Sequence, residues 1–378
     1  AIGFIFACTA CAWWILSATI FARTYKTGSL LRGQVESAWG SQQKQKPPMA
    51  RVSERAPDGK ERWRLLPLER TDARVQLDLD YRQKGLLWFS TYRTAFEAEY
   101  AFRNDGPDAV TAEFHLELPA AKAVYDDLAV YRNAAPLVLA NIGKAVVTDL
   151  ALAAGETATV RVTYKSQGLD RWTYEFGEGA HQVKSFQCRV KTNFQGVDFP
   201  ENSLSPTTKR DTGGGWELEW RYRNLVSGLP IIIGMPEHTQ PGPLAGEIST
   251  FAPVSLFFFF FLMMMLTTMK GVELHPVNYF FLACAFFAFH LLLAYLVDHI
   301  SIHVAFVICS AVSIALVVSY LRLVAGLRFA VVEAGLTQFA YLVLFSYAFF
   351  FPGYTGLAVT VGAIVTLFLM MQWTGRVR

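Results

Sequence analysis

The last third of the chain has very little charge, and that scarcity is the first constraint on what it can be. Between Phe251 and Trp373 the only Asp, Glu, Lys or Arg residues are Lys270, Glu273, Asp298, Arg322, Arg328 and Glu333. Soluble domains carry roughly 25 % charged residues, so this stretch cannot cover itself with a water-facing surface. Cysteine is missing where a secreted domain would need it. Cys8, Cys11, Cys284 and Cys309 lie in apolar segments and only Cys188 falls in the polar middle, which excludes a disulfide framework there. Catalytic signatures are absent too: there is no HExxH, GxxxxGK, GxSxG or GxGxxG. That removes the zincin, P-loop, α/β-hydrolase and dinucleotide-binding readings. Gly213-Gly214-Gly215 reads as a turn, since no helical pattern follows it to cradle a phosphate. The two halves of the chain do not resemble each other, unlike the repeats of many transporters.

What is present divides the chain into a part for lipid and a part for water. Six runs approach the roughly 20 apolar residues that a spanning helix needs: Ile2–Ala22, Phe251–Met269, Val277–Val297, Ile302–Leu321, Phe329–Phe351 and Leu357–Trp373. The first run is longer than the apolar core of a cleaved signal peptide and reads as a signal-anchor. Short loops rich in Lys and Arg stay in the cytoplasm. Lys270, Arg322, Arg328, Arg376 and Arg378 fall on one side, whereas the turns Asp298–Ser301 and Pro352–Gly356 carry neither residue. Both termini are therefore expected in the cytoplasm and residues 23–248 outside it, in the periplasm of a bacterial inner membrane. Arg23 and Lys26 oppose that asymmetry, which a long translocated domain tolerates.

The net charge of +3 names no partner. Locally, residues 23–64 hold ten Lys or Arg against four acids. Such a stretch beside an anchor either rests on anionic headgroups, at about 1 kcal/mol per charge, or is a solvated linker. Nucleic acid is not expected as a partner for a domain tethered in this way. Leu31, Val35 and Trp39 recur every four residues as one stripe of a short helix, with Arg32 and Glu36 an i,i+4 pair. Trp39 then sits at headgroup level or packs under the polar domain. From Arg74 the period becomes two: Val75, Leu77, Leu79; Phe96, Ala98, Tyr100; Phe114, Leu116, Leu118; Val160, Val162, Tyr164; Trp172, Tyr174, Phe176; Leu218, Trp220, Tyr222. Turn signals at 104–107, 154–156, 177–179 and 213–215 punctuate these runs. The pattern predicts an antiparallel β-sandwich, with an immunoglobulin-like portion over Tyr92–Tyr164.

The expected organisation is a transmembrane helix over 1–22, a juxtamembrane helix and basic linker over 23–70, and a β-sandwich region over 71–248. That region is one domain or two units near 71–166 and 167–248, and five transmembrane helices follow over 249–378. The fold class is thus membrane α + β.

Four stretches carry a resemblance to a family: WGSQQKQKPP after the first span, YRQKGLLWFSTY at 81–92, LHPVNYFF at 274–281 and LLLAYLVDHISIHVAF at 291–306. With this order of spans the chain resembles the CreD family of bacterial inner-membrane cell-envelope proteins over nearly its full length. The resemblance rests on Trp39, Gly40, His275, Pro276, Asp298 and His299. Pro352-Gly353-Tyr354 departs from the family's Glu-Asp-Tyr before the last span, as a diverged member would. The resemblance implies a role in envelope integrity or stress and no known reaction or cofactor.

Several residues invite chemistry. His299 and His303, four apart on a helix, share a face, and Asp298 adds a third candidate metal ligand; an ordinary polar turn between spans explains them as well. Cys8 and Cys11 form a CxxC within the first span, where apolar surroundings disfavour a thiolate. Glu333 and His290 are intramembrane polar residues, which are functional hypotheses by default. A snorkelling or paired Glu333 and a hydrogen-bonded His290 are the structural alternatives. His275-Pro276 starts a helix. The function expected is that of a non-enzymatic structural or partner-binding protein without cofactor or metal, seated in the bilayer and meeting other membrane or periplasmic proteins, alone or as a subunit of a larger complex. Its β-domain would bind through strand edges and aromatics such as Trp172, Tyr174, Trp216 and Trp220, unless these aromatics form the core of the sandwich. The alternative is a transporter or proton-linked component using Glu333 and His290.

Overall fold

The computed structural model describes residues 1–55, 61–84, 87–121, 123–176, 181–351 and 353–376. The expected turn at 177–179, Gly85 and Leu86 of the 81–92 motif, Pro352 and Arg378 lie outside the described residues. Two units gather the chain. One comprises Ala1–Leu31, Gly85–Leu87 and Thr239–Arg378, and the other Arg32–Lys84 and Trp88–His238.

The helical unit is built on six long apolar helices, one N-terminal and five C-terminal. They are α1 (Ile2–Ala38), α2 (Pro241–Lys270), α3 (Pro276–Leu296), α4 (Ile302–Ala325), α5 (Phe329–Phe350) and α6 (Thr355–Arg376). At 1.5 Å per residue, about 20 residues cross the 30 Å hydrocarbon layer, so each is long enough. Only helices satisfy every backbone group within one segment in lipid, which is why such apolar runs can fold in no other way there. The five-phenylalanine run at 257–261 divides between the two environments: Phe259 and Phe260 are buried, Phe257 and Phe261 exposed. The bundle interior joins Trp13 to Phe259, Met263, Phe286, Phe289 and Phe306.

Two features of the helices differ from the sequence reading. The first span does not end near Ala22; α1 continues unbroken to Ala38, because no Pro or Gly-rich break follows the apolar run. And α5 is not uniformly α-helical. Residues Phe329–Ala334 and Phe339–Leu344 are wound as π-helix, with the Gly335 N–H reaching the Ala330 carbonyl and the Phe345 N–H that of Ala340.

Among the described residues the β-rich part of the chain holds sixteen strands. In chain order they are β1 (Gln43–Gln45), β2 (Met49–Arg55), β3 (Glu61–Leu65), β4 (Leu68–Lys84), β5 (Leu87–Arg103), β6 (Val110–Glu117), β7 (Tyr125–Arg132), β8 (Ala135–Pro136), β9 (Asn141–Ile142) and β10 (Ala145–Leu152). After them come β11 (Thr157–Leu169), β12 (Arg171–Tyr174), β13 (His181–Thr192), β14 (Thr208–Asp211), β15 (Trp216–Ser227) and β16 (Ile231–Gly234). They form an eight-stranded sheet ordered β14-β15-β13-β4-β5-β11-β7-β8, a five-stranded sheet β3-β2-β6-β10-β9 and a three-stranded sheet β1-β12-β16. The pairing is antiparallel except where β13 meets β4 and β1 meets β12, which run parallel.

Alternation fixes which face turns inward, since a one-residue slip would expose every apolar side chain. Ala73, Val75 and Leu77 of β4, Phe96, Ala98 and Tyr100 of β5, and Val160, Val162 and Tyr164 of β11 are all buried. They share one core with Ala112, Phe114 and Leu116 of β6 and with Val146 and Leu150 of β10. Across it Phe102 meets Phe114 edge-on at 6.0 Å, so the two larger sheets are the halves of a sandwich. Each large apolar side chain so buried contributes roughly 1.5–3 kcal/mol.

The stretch 23–70 is not helix plus linker. After Ala38 it supplies β1, β2, β3 and the start of β4. Nor does hydrogen bonding respect a division near residue 167: β13 lies directly on β4, with Cys188 opposite Ala73 and Val190 opposite Val75.

Candidate functional site

The Trp39-Gly40 motif builds a joint. At Gly40 φ is +139°, and a Cβ there would stand 2.3 Å from the Gln167 carbonyl oxygen; only glycine tolerates both. The Trp39 ring is covered by Arg82 of β4, whose guanidinium carbon lies 3.3 Å from the ring centroid, with Arg93 of β5 at 6.0 Å. Of the two placements open to Trp39, this is packing against the β-domain. Arg32 on the same helical end pairs with Glu36 at 3.2 Å and with Asp170.

The polar run that follows is interior. Gln43 and Gln45 are fully buried and fully engaged. Gln43 Nε2 donates to Ser166 Oγ (2.9 Å) and the Gln167 carbonyl (3.0 Å), and its Oε1 accepts from Thr94 (3.0 Å). Gln45 Oε1 accepts from the Tyr164 hydroxyl at 2.6 Å and its Nε2 donates to the Lys46 carbonyl. Buried amides are tolerated when every donor and acceptor is met.

The aromatic docking patch expected of Trp172, Tyr174, Trp216 and Trp220 does not form. Trp172, Tyr174 and Trp220 are at most 1 % exposed, and the Trp220 Nε1 donates to the Leu204 carbonyl at 2.9 Å. Trp216, partly buried, donates to Gln195 and carries Lys209 over its ring at 3.9 Å. An alternating strand places its large aromatics inward, and inward here is the core. Burial pushes the Cys188 thiol well above its ordinary range, so it is an inert thiol. Tyr125, partly buried and bonded to the Ala120 carbonyl, is pushed up to about 12 by that burial.

The water-facing side of the eight-stranded sheet holds an open cleft of about 660 Å³, lined by Arg74 and Gln76 of β4, Glu97 of β5, Thr163 of β11, and Arg189 and Lys191 of β13, among others. The sequence reading missed it because its residues are the unremarkable polar half of each alternating strand. The available signal was that Arg74, Arg189 and Lys191 all fall at outward positions.

In the helical unit, Asp298 pairs with Arg23 at 3.2 Å, and Arg23 also donates to the Ala294 carbonyl at 2.8 Å. His303 packs on Phe350 with ring centroids 5.2 Å apart. Asp298, His299 and His303 do not converge, and among the described residues no three His, Cys, Asp or Glu side chains form a metal-holding group. His275 caps α3, its Nδ1 accepting from the Val277 N–H at 3.3 Å, with Pro276 at the first helical position. Cys8 and Cys11 are free thiols on the exposed face of α1. Glu333 pairs with Lys270. His290 is buried in an aromatic box, 5.6 Å from Trp13 and 4.9 Å from Phe289, with Nδ1 on the Phe286 carbonyl at 3.1 Å. Glu333 and His290 share no hydrogen bond. His290 Nε2 and Glu333 Oε2 have no partner among the described residues.

A polar chain inside the bundle also escaped the sequence reading. Gln338 of α5, fully buried, donates to Ser313 Oγ of α4 at 2.7 Å, and Ser313 donates to the Ala285 carbonyl of α3 at 2.6 Å. Its signal was a lone amide within an apolar run. Hydroxyls meet carbonyls of both wide turns of α5: Thr337 bonds Glu333 at 2.6 Å, and Ser255 bonds Tyr341.

Helices and sheets together define a multi-span membrane protein with a β-rich domain. No family model matches the chain, and no curated protein matches it. Among solved structures it is similar to a Legionella pneumophila protein described as nutrient binding, with a TM-score of 0.39 and 8 % identity over 58 % of this chain and 76 % of that one. It is also similar to the M1 zinc metallopeptidase of Deinococcus radiodurans, with a TM-score of 0.30 and 14 % identity over 45 % of this chain and 42 % of that one. The chain thus spans less than half of the metallopeptidase. At these scores neither neighbour carries a functional argument.

Proposed function

We propose that this chain is a diverged CreD-like protein of a bacterial inner membrane, a non-enzymatic envelope component whose β-domain engages a partner. The observation that carries the reading is the charged cleft on the outer face of the eight-stranded sheet, a large solvent-open feature on a domain that has committed Trp172, Tyr174 and Trp220 to its core. Both termini face the cytoplasm and residues 23–248 the periplasm. Arg23, the residue that strains the charge asymmetry, has its charge offset by Asp298, which supports that orientation. Photocrosslinking from cleft positions in native membranes, followed by mass spectrometry, tests the partner-binding role; repeated recovery of no crosslinked species counts against it. Protease added to spheroplasts should cut the 23–248 region and spare it in inverted vesicles. The reverse pattern overturns the orientation.

A second reading, a proton-linked component, draws on the orphaned His290 Nε2 and Glu333 Oε2 and on the π-wound turns of α5, a device frequent at functional sites. Glu333→Gln with unchanged growth and unchanged proton flux in reconstituted vesicles removes it.

A further inference from the structure

The cleft on the eight-stranded sheet has a charge arrangement that the fold alone does not require. In the parallel register of β13 on β4, Arg189 lies opposite Arg74 and Lys191 opposite Gln76. Three cations therefore crowd two adjacent strands on one face, and like charges side by side oppose pairing. Only Arg189 is answered locally, by Asp72 at 3.3 Å. The acids around the cleft are already matched: Glu97 by Arg161 at 3.6 Å, Asp127 by Lys165 at 2.7 Å, Glu217 by Arg210 at 3.7 Å. Arg74 and Lys191 make no ion pair among the described residues. Arg189 Nε, at the same wall, has no hydrogen-bond partner among the described residues. Ala95, one methyl among long side chains, deepens the centre, and beside it Glu97 stands opposite Thr163.

We propose that this cleft binds a sugar phosphate. Arg74 and Lys191 take the phosphate oxygens, for which guanidinium and ammonium are the matching donors. The Thr163 hydroxyl and the side-chain carbonyl of Gln76, whose Nε2 donates to Asp78 at 3.0 Å, supply the mixed donor and acceptor that a polyhydroxylated ring needs. The volume, about 660 Å³, falls in the usual range of small-ligand sites, roughly 300–1,000 Å³. The assignment rests on the β-domain being a binding domain and adds the chemistry of what it binds.

The test is calorimetric titration of the full-length protein in detergent with D-glucose 6-phosphate at low salt, with D-glucose and inorganic phosphate run separately. Saturable binding is expected for the sugar phosphate, with both simpler probes about tenfold weaker or more. Arg74→Gln with Lys191→Gln should lower affinity by at least about tenfold. Lys184→Gln, on the same sheet but outside the cleft, should leave it unchanged. All variants change exposed side chains, and an unaltered melting profile confirms that each is folded. Absence of saturable binding overturns the proposal, as does binding unaffected by the double variant. Inorganic phosphate binding as tightly as the sugar phosphate also overturns it, leaving a nonspecific anion trap. A protein partner still crosslinked in the double variant, with no sugar phosphate bound by the wild type, sinks the cleft assignment while leaving the partner-binding role standing.

Discussion

Alanine at position 40 probes the joint between α1 and the β-domain's first strand. The added Cβ would meet the Gln167 carbonyl oxygen at 2.3 Å and its carbon at 3.1 Å. Both are backbone atoms, held by β11, and cannot swing aside as a side chain would. Holding a non-glycine residue at φ +139° costs about 1–3 kcal/mol. Pushing packed structure apart costs about 1–3 kcal/mol more, so the total is about 2–6 kcal/mol. A domain's whole margin is about 5–15 kcal/mol. For a unit of this size each kcal/mol moves the melting midpoint by about 2–4 °C, so Gly40→Ala should lower it by about 4–24 °C. The assay is a tryptophan-fluorescence melt of the full-length protein in detergent. Gly33→Ala is the control: nothing lies within 4 Å of its added Cβ, and alanine favours a helix by about 1 kcal/mol. A Gly40→Ala midpoint within about 2 °C of wild type would refute the reasoning, because the chain would then have another path through the joint.

Three further outcomes are expected. Gln45→Leu removes the acceptor of the buried Tyr164 hydroxyl and should cost about 1–3 kcal/mol in denaturant unfolding; adding Tyr164→Phe should recover most of it, and a fully additive pair would show that the bond is not there. Trp220→Ala should cost about 3–5 kcal/mol and make the β-domain sensitive to limited proteolysis, whereas wild-type resistance would place the ring outside the core. The Glu156 carboxyl is held below its ordinary value of 4.5 by the Ala153 N–H and by Arg132. Its folded value is the depressed one, so its stabilisation is full above the unfolded value and fades as pH falls below it. Melting midpoints of wild type and Glu156→Gln should therefore converge as acid is added below about pH 4.5, and a difference that grows there would reverse the sign.

The helices were legible because lipid demands long apolar runs and leaves no cheaper pattern. The strands around Val75, Phe96, Phe114, Val160 and Leu218 were legible because one wet face and one dry face force a period of two. The first strands were not. Gln43-Lys44-Gln45 has its glutamines inward, so its polarity reads as linker although its burial is complete. The basic run after it hid β2 and β3, edge-side strands whose cations stay in water. The parallel seam of β13 on β4 joins segments more than a hundred residues apart, and no local pattern announces it. For Trp172 and Trp220 the sequence left a binding patch and the sandwich core both open, for a related reason: an aromatic in an alternating strand is visible, but which face becomes the core is settled only when a second sheet arrives. At Asp298 the sequence offered a ligand set, and the structure gives its carboxylate to Arg23 instead.

The two wide turns of α5 bear on how this segment can change. A π turn uses one residue more than an α turn to come round to the same face, so each six-residue stretch holds slack along the helix. Loss of a single residue inside 329–334 or 339–344 would let the turn tighten while the side chains beyond it kept their bearings. The same loss in α4, wound as a plain α-helix, would rotate everything downstream by about 100°. Length variation among homologous chains should therefore be admitted within this transmembrane segment, a place where insertions and deletions are ordinarily refused.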